Sequence, residues 1–189
     1  MSRLSILMRQ PKSALGVLTA VVVAVGLTVA SGASFTAESA NPSNTFATGN
    51  LSMDNSKANA AVFTPTNMKP GGTPDVGTVD IKNSGSISGT FSLTADTITN
   101  SDATNPLAAK IDLIVKDCGD FASGTPTCEA GDKSVYTGTL AAFTSSNALG
   151  TFAAGEQHRY EFSAQLNSSA NDDYEGDNAS ARFVWNAVQ

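Results

Sequence analysis

Three groups of residues in this chain are of types that do chemistry: the lone histidine His158 in Gly155-Glu156-Gln157-His158-Arg159, the two cysteines Cys118 and Cys128, and the acidic run Asn171-Asp172-Asp173-Tyr174-Glu175-Gly176-Asp177. A zinc peptidase of the zincin type needs two histidines one helical turn apart with a glutamate base between them. This chain offers one histidine at the start of a strand pattern. Such a histidine reads as a solvated or hydrogen-bonded residue. Serines are plentiful, but with no second histidine and no Gly-x-Ser-x-Gly turn none is marked as a nucleophile. The expectation is therefore no catalytic residue, no resident metal and no enzyme activity.

Cys118 and Cys128 are separated by a stretch containing Gly119, Gly124 and Pro126, able to fold back and bring the sulfurs together. A disulfide closing this loop would contribute on the order of 2–3 kcal/mol. A zinc pair lacks further cysteine or histidine partners. The acidic run is an oxygen-rich loop of the kind that can hold Ca²⁺, but its spacing does not follow the EF-hand pattern, and Asp, Asn and Gly are equally the residues of a tight inter-strand turn. No phosphate loop, dinucleotide glycine pattern or nucleotide-stacking platform is present, so no soluble cofactor is implied.

The elements that must position these residues read as strands. Asn50 to Met53, Ala61 to Phe63, Val76 to Lys82, Ile87 to Ala95, Lys110 to Lys116, Lys133 to Thr139, His158 to Leu166 and Ser180 to Ala187 have strand period or β-branched and aromatic content. Val79 and Ile81 alternate with Asp80 and Lys82, Tyr160 to Leu166 alternates in the same way, and so does Ala181 to Ala187 through Phe183 and Trp185. Ile111, Leu113 and Val115 supply a further stripe, and Phe91 with Leu93 another. Such stripes predict an all-β fold, a two-sheet, jelly-roll-like sandwich with Greek-key connections and a core about 10 Å thick. Loops are expected at Thr97 to Pro106 and at Ala141 to Gly155, with a helical turn near Leu140 to Leu149.

Turn chemistry punctuates the strands. In Lys69-Pro70-Gly71-Gly72, Pro70 presets φ for the first central position and Gly71 tolerates the left-handed second one. Asn83-Ser84-Gly85-Ser86 follows the next strand as a second turn.

Residues 1–33 have the make-up of a secretory signal helix. Arg3, Arg9 and Lys12 precede an apolar run from Leu15 to Ala30, and the small residues Ala30-Ser31-Gly32-Ala33 form a cleavage zone. The run is a little short of the roughly 20 residues of a spanning helix, though an uncleaved anchor remains an alternative. Removing this segment leaves eight basic and seventeen acidic residues, a formal charge of −9. That balance argues against nucleic-acid binding, which needs a basic surface, and suits an extracellular location. Residues 34–44 are expected to be a flexible arm, with Ser34 to Ala40 extended in character ahead of Pro42, and residues 45–189, the size of one core, to be the domain proper. The end at Ala187-Val188-Gln189 carries no sorting motif, so attachment to a surface is expected through polymerisation or a partner.

Taken together, Asn44-Thr45-Phe46 with Gly49, the turn Lys69-Pro70-Gly71, Asn83 with Gly85, and Gly176 followed by Trp185 lie in the order in which similar blocks occur in the TasA/camelysin family, and the chain resembles that family of secreted bacterial surface and matrix proteins. The resemblance implies processing by a SipW-like signal peptidase. It also implies a structural, fibre-forming role in a biofilm matrix, in which an N-terminal segment, here Ser34, Phe35, Thr36, Ala37 and Glu38, is donated to the next subunit as an added strand. From composition alone the same segment is a free tail. Camelysin-like proteins also carry a metallopeptidase label, which the single histidine does not support. The expected partners are further copies of this chain, other matrix or surface proteins and the signal peptidase. A secreted peptidase and a monomeric adhesin using the long loops are the alternatives.

Overall fold

A computed structural model describes residues 48–189. The expected signal helix, residues 1–33, the arm Ser34, Phe35, Thr36, Ala37 and Glu38, and the motif residues Asn44, Thr45 and Phe46 lie outside the described residues.

Eight strands follow one another: β1 (Met53–Asn55), β2 (Asp75–Asn83), β3 (Gly89–Asn100), β4 (Ile111–Asp120), β5 (Lys133–Thr139), β6 (Asn147–Phe152), β7 (Gln157–Leu166) and β8 (Ala179–Val188). Short 3₁₀ turns at Leu107–Ala109, Leu140–Ala142 and Asp172–Tyr174 join some of them. A five-stranded antiparallel sheet runs β1-β2-β7-β4-β5, and a three-stranded one runs β6-β3-β8. Apart from the hairpin from β4 to β5 and the entry from β1 to β2, each strand is followed by one in the opposite sheet. The result is a β-sandwich.

Alternation along each strand decides which residues form the core. From the larger sheet Val79, Ile81, Leu113, Val115, Tyr160, Phe162 and Ala164 are almost wholly buried, and from the smaller one Phe91, Leu93, Ala95, Leu149, Phe152 and Trp185 meet them. Burying each large apolar side chain contributes roughly 1.5–3 kcal/mol. Phe91 stacks on Phe152 with ring centroids 4.3 Å apart, and Phe162 packs against Phe183 at 4.7 Å. These are the close, offset contacts that aromatic cores favour.

Eight strands were expected and eight are present among the described residues, but not the same eight. Ala61 to Phe63 pairs with no strand; it is a loop whose Phe63 ring lies 6.4 Å from Phe162 and packs, half-buried, against the core. The first strand begins only at Met53, three residues later than expected, where Met53 pairs with Asn83. The expected loop at Ala141 to Gly155 contains β6, and the anticipated helical turn in it is the single turn Leu140–Ala142. The expected loop at Thr97 to Pro106 begins later, because β3 continues through a bulge between Asp96 and Thr99 to Asn100.

Candidate functional site

The anticipated turn at Lys69 to Gly72 forms, whereas Asn83 to Ser86 is a bend held by the Asn83 side chain. Gly72 N–H donates to the Lys69 carbonyl at 2.8 Å, and Gly71 takes φ 66°, the left-handed conformation that glycine adopts without steric cost. Asn83 is fully buried at the end of β2, donating from Nδ2 to the carbonyls of Ile87 at 2.8 Å and Phe152 at 3.1 Å and accepting the Gly85 N–H at 3.0 Å. Gly85 packs against the backbone carbonyl of Asn50, leaving no room for a Cβ, and Gly49 is pressed against Ile87 in the same way. These motif residues thus tie the start of the described chain to one end of the sandwich. Gly176, with φ 77°, belongs to the turn that feeds β8, and Trp185 is an inward-facing residue of β8. The structural roles of these residues are local and distinct; they do not converge on one pocket.

Cys118 and Cys128 are disulfide-bonded, with Cα atoms 4.7 Å apart. The bond pins the loop after β4 to a bulge between Asp117 and Asp120, where Gly119 has φ 101°. Among the described residues the one grouping of three metal-capable side chains is Cys118, Cys128 and Asp132. Its sulfurs are bonded to each other and so cannot act as thiolate ligands. No three carboxylates of the acidic run Asp172 to Asp177 draw together in that way. Instead Asp177 accepts a hydrogen bond from Ser101 at 2.7 Å, Asn171 donates to Asp173, and the Lys110 ammonium lies 5.8 Å from the centre of the Tyr174 ring. The run is built as a turn into β8.

His158 has the most unusual surroundings. Its position in β7 has the same parity as Tyr160 and Phe162, so the ring points inward at the end of the core stripe, stacked on Phe152 at 4.3 Å. Nδ1 faces both oxygens of Asp117, at 3.0 and 3.1 Å, and Nε2 faces Glu156 at 2.9 Å. Carboxylates accept hydrogen bonds and do not donate them when ionised. With an acceptor at each nitrogen, the ring has a donor's task on both sides, which the imidazolium alone can fill. Burial opposes the charge on His158, but the hydrogen bonds to Asp117 and Glu156 and their negative charges outweigh it and raise its pKa. The same bond from His158 lowers that of Glu156. Burial, with the nearby charges of Asp117 and Glu156, pushes the Tyr160 hydroxyl far above its ordinary value. Sequence reading placed His158 at a strand start as a solvated or hydrogen-bonded residue; it did not identify Asp117 as the partner, 41 residues away.

The sheet edges complete the candidate surfaces. Unpaired edge strands invite pairing with another chain, and proteins blunt them with bulges or shortness. Three of the four edges here are blunted. β1 has three residues. β5 carries an extra residue where Val115 and Lys116 pair with Tyr136 and Ser134. β6 carries one where Phe91 and Ser92 pair with Gly150 and Ala148. The fourth, β8, is ten residues long with neither proline nor glycine, and its irregular pairing with β3 is due to the extra residue in β3, leaving β8 itself regular. In an antiparallel pair only part of a strand's backbone groups face the partner. On the side of β8 away from β3 no strand pairs among the described residues. Val188, at its end, is 61% exposed.

Compared with known proteins, the chain matches no family model and no curated protein.

Proposed function

We propose that this protein is an exported structural subunit that assembles with copies of itself into a surface or matrix fibre by strand addition, with β8 as the accepting edge. The observation that carries this reading is the contrast among the four sheet edges: three are shortened or bulged, and one is long, regular and unbroken. Main-chain pairing along such an edge gives affinity, and alternate side chains of the incoming strand find apolar or polar neighbours according to the pleat.

The segment that fits the role of donor is Ser34 to Ala40, between the cleavage zone and Pro42. It is extended in character, and Phe35 is its one large apolar side chain. The resemblance of the turn and motif residues to the TasA/camelysin family, and the secretory character of residues 1–33, support export and a matrix role. The acidic composition supports a soluble extracellular subunit rather than a nucleic-acid binder. Peptide hydrolysis has little to recommend it: the single histidine is held between two carboxylates rather than beside a second histidine.

Negative-stain imaging of residues 34–189 at rising concentration tests the proposal. Fibres are expected from the intact protein, and none from a variant lacking Ser34 to Ala40 or carrying Phe35→Asp, both of which should remain folded monomers. Fibres forming unchanged without the arm would overturn strand donation.

A further inference from the structure

The polar cluster at the end of the core joins side chains from three segments. Asp117 comes from the bulge of β4, beside the disulfide; Glu156 comes from the turn between β6 and β7; His158 is the second residue of β7. Asp117 is 8% exposed and His158 15%, so solvent screens their interaction little. Each carboxylate is also fixed by backbone: Asp117 Oδ1 accepts the Gly119 N–H at 3.0 Å, and Glu156 Oε2 accepts the Ala153 N–H at 2.5 Å. The turn is tied in turn to Asn83, whose N–H donates to the Glu156 carbonyl and whose carbonyl accepts the Gly155 N–H. Phe121 N–H, just past the bulge, donates to the Gln157 carbonyl at 2.9 Å.

We propose that His158 is an ionic latch: as imidazolium it donates from both ring nitrogens to carboxylates on two other segments, and loss of that proton releases the β6–β7 turn and the disulfide-bearing bulge from the end of the sandwich. A neutral imidazole has one N–H and one lone pair. Whichever nitrogen loses its hydrogen, a carboxylate then faces a lone pair at hydrogen-bond distance, and two negative charges flank an uncharged ring. Among the described residues no other cation faces the ring to replace the lost one. β4 presents Asp117, with the exposed Asp120 paired opposite His158; β6 presents the uncharged Phe152 ring; β2 pairs Ile81 with His158, and its Lys82 alternates to the other face; β7 itself adds Tyr160. The Tyr160 hydroxyl, buried there without a hydrogen-bond partner among the described residues, is neutral and brings no positive charge to replace the one lost.

The direction of the pH effect follows from linkage. A histidine whose folded pKa is raised above its ordinary 6.5 contributes stability that is whole below that value and is lost as the pH rises through the folded pKa. Glu156, lowered from 4.5, contributes stability that is present above that value and is lost as the pH falls. The latch is therefore tightest between the two ordinary values and opens on the alkaline side through His158.

Because the chain has one histidine, its ring signals need no assignment. Long-range ¹H–¹⁵N NMR of the labelled full chain should show both ring nitrogens protonated at mildly acidic pH and a titration midpoint above 6.5, lowered by Glu156→Gln and by Asp117→Asn. Hydrogen-exchange protection of the Asn83, Gly155 and Phe121 amides should be lost as the wild-type ring titrates, while that of the β3–β8 pairing is retained. A wild-type midpoint at or below 6.5 would overturn the proposal. So would a raised midpoint across which those three amides keep their protection, since the charge would then hold nothing in place. The wild-type measurement decides even if a variant fails to fold.

Discussion

Replacing Trp185 with alanine measures directly whether the inward face of β8 holds the two sheets together. Trp185 is 9% exposed, lies opposite Leu93 on β3, and reaches across to the larger sheet, its ring 5.0 Å from Tyr160 and 6.2 Å from Phe162. Truncation removes the transfer free energy of a large aromatic and leaves a cavity that those rigid neighbours fill only in part, a loss of roughly 3–5 kcal/mol. That is a large share of the 5–15 kcal/mol by which domains are typically stable. At about 2–4 °C per kcal/mol for a domain of this size, the melting temperature should drop by roughly 6–20 °C. Urea titration followed by far-ultraviolet circular dichroism is the suitable assay, because Trp185 is the sole tryptophan and its fluorescence vanishes with it. Val184→Ala, on the opposite face of the same strand, is the control and should cost about 1 kcal/mol or less. A loss below about 1 kcal/mol for Trp185→Ala, or a larger one for Val184→Ala, would refute the assigned register, since a slip of one residue exchanges the faces.

Two further substitutions probe the supports around the core. Replacing both Cys118 and Cys128 with serine should lower stability by roughly 2–3 kcal/mol in a denaturant titration while leaving the strand signal in circular dichroism intact, because the closed loop hangs from the end of β4. Asn83→Ala should cost roughly 1–3 kcal/mol, since it strips the Ile87 and Phe152 carbonyls of their donor and the Gly85 N–H of its acceptor; a neutral effect would mean that Asn83 is not the joint between β2 and the β6–β7 turn.

The inward stripes were legible because a strand with one buried face must alternate, and in β2, β4, β7 and β8 it does so without interruption through the residues named from sequence. The turn at Lys69 to Gly72 was legible for a local reason, the fixed φ of Pro70 next to a residue free to take φ 66°. β6 was not, and its bulge explains why: Leu149 and Phe152 both point into the core though three positions apart, so the period-two signal is broken within a six-residue strand. Ala61 to Phe63 misled in the opposite sense, since apolar content there serves a covering loop and has no ladder behind it. The His158 cluster left a signal that sequence reading passed over. Asp117 continues the parity of Ile111, Leu113 and Val115, and His158 that of Tyr160 to Leu166, so a carboxylate and an imidazole were both headed for the same end of the core. What no pattern in either strand could supply was the pairing that sets β4 beside β7.

The proposed assembly is tested most directly by hydrogen exchange, read residue by residue along β8 in the monomer and in the assembled protein. Strand addition predicts that alternate amides of Ala179–Val188, exchanging freely in the monomer because they face away from β3, become protected on assembly, and that the Ser34 to Ala40 amides gain protection with them. Assembled protein in which β8 exchanges as it does in the monomer, with new protection confined to another edge, would contradict the account.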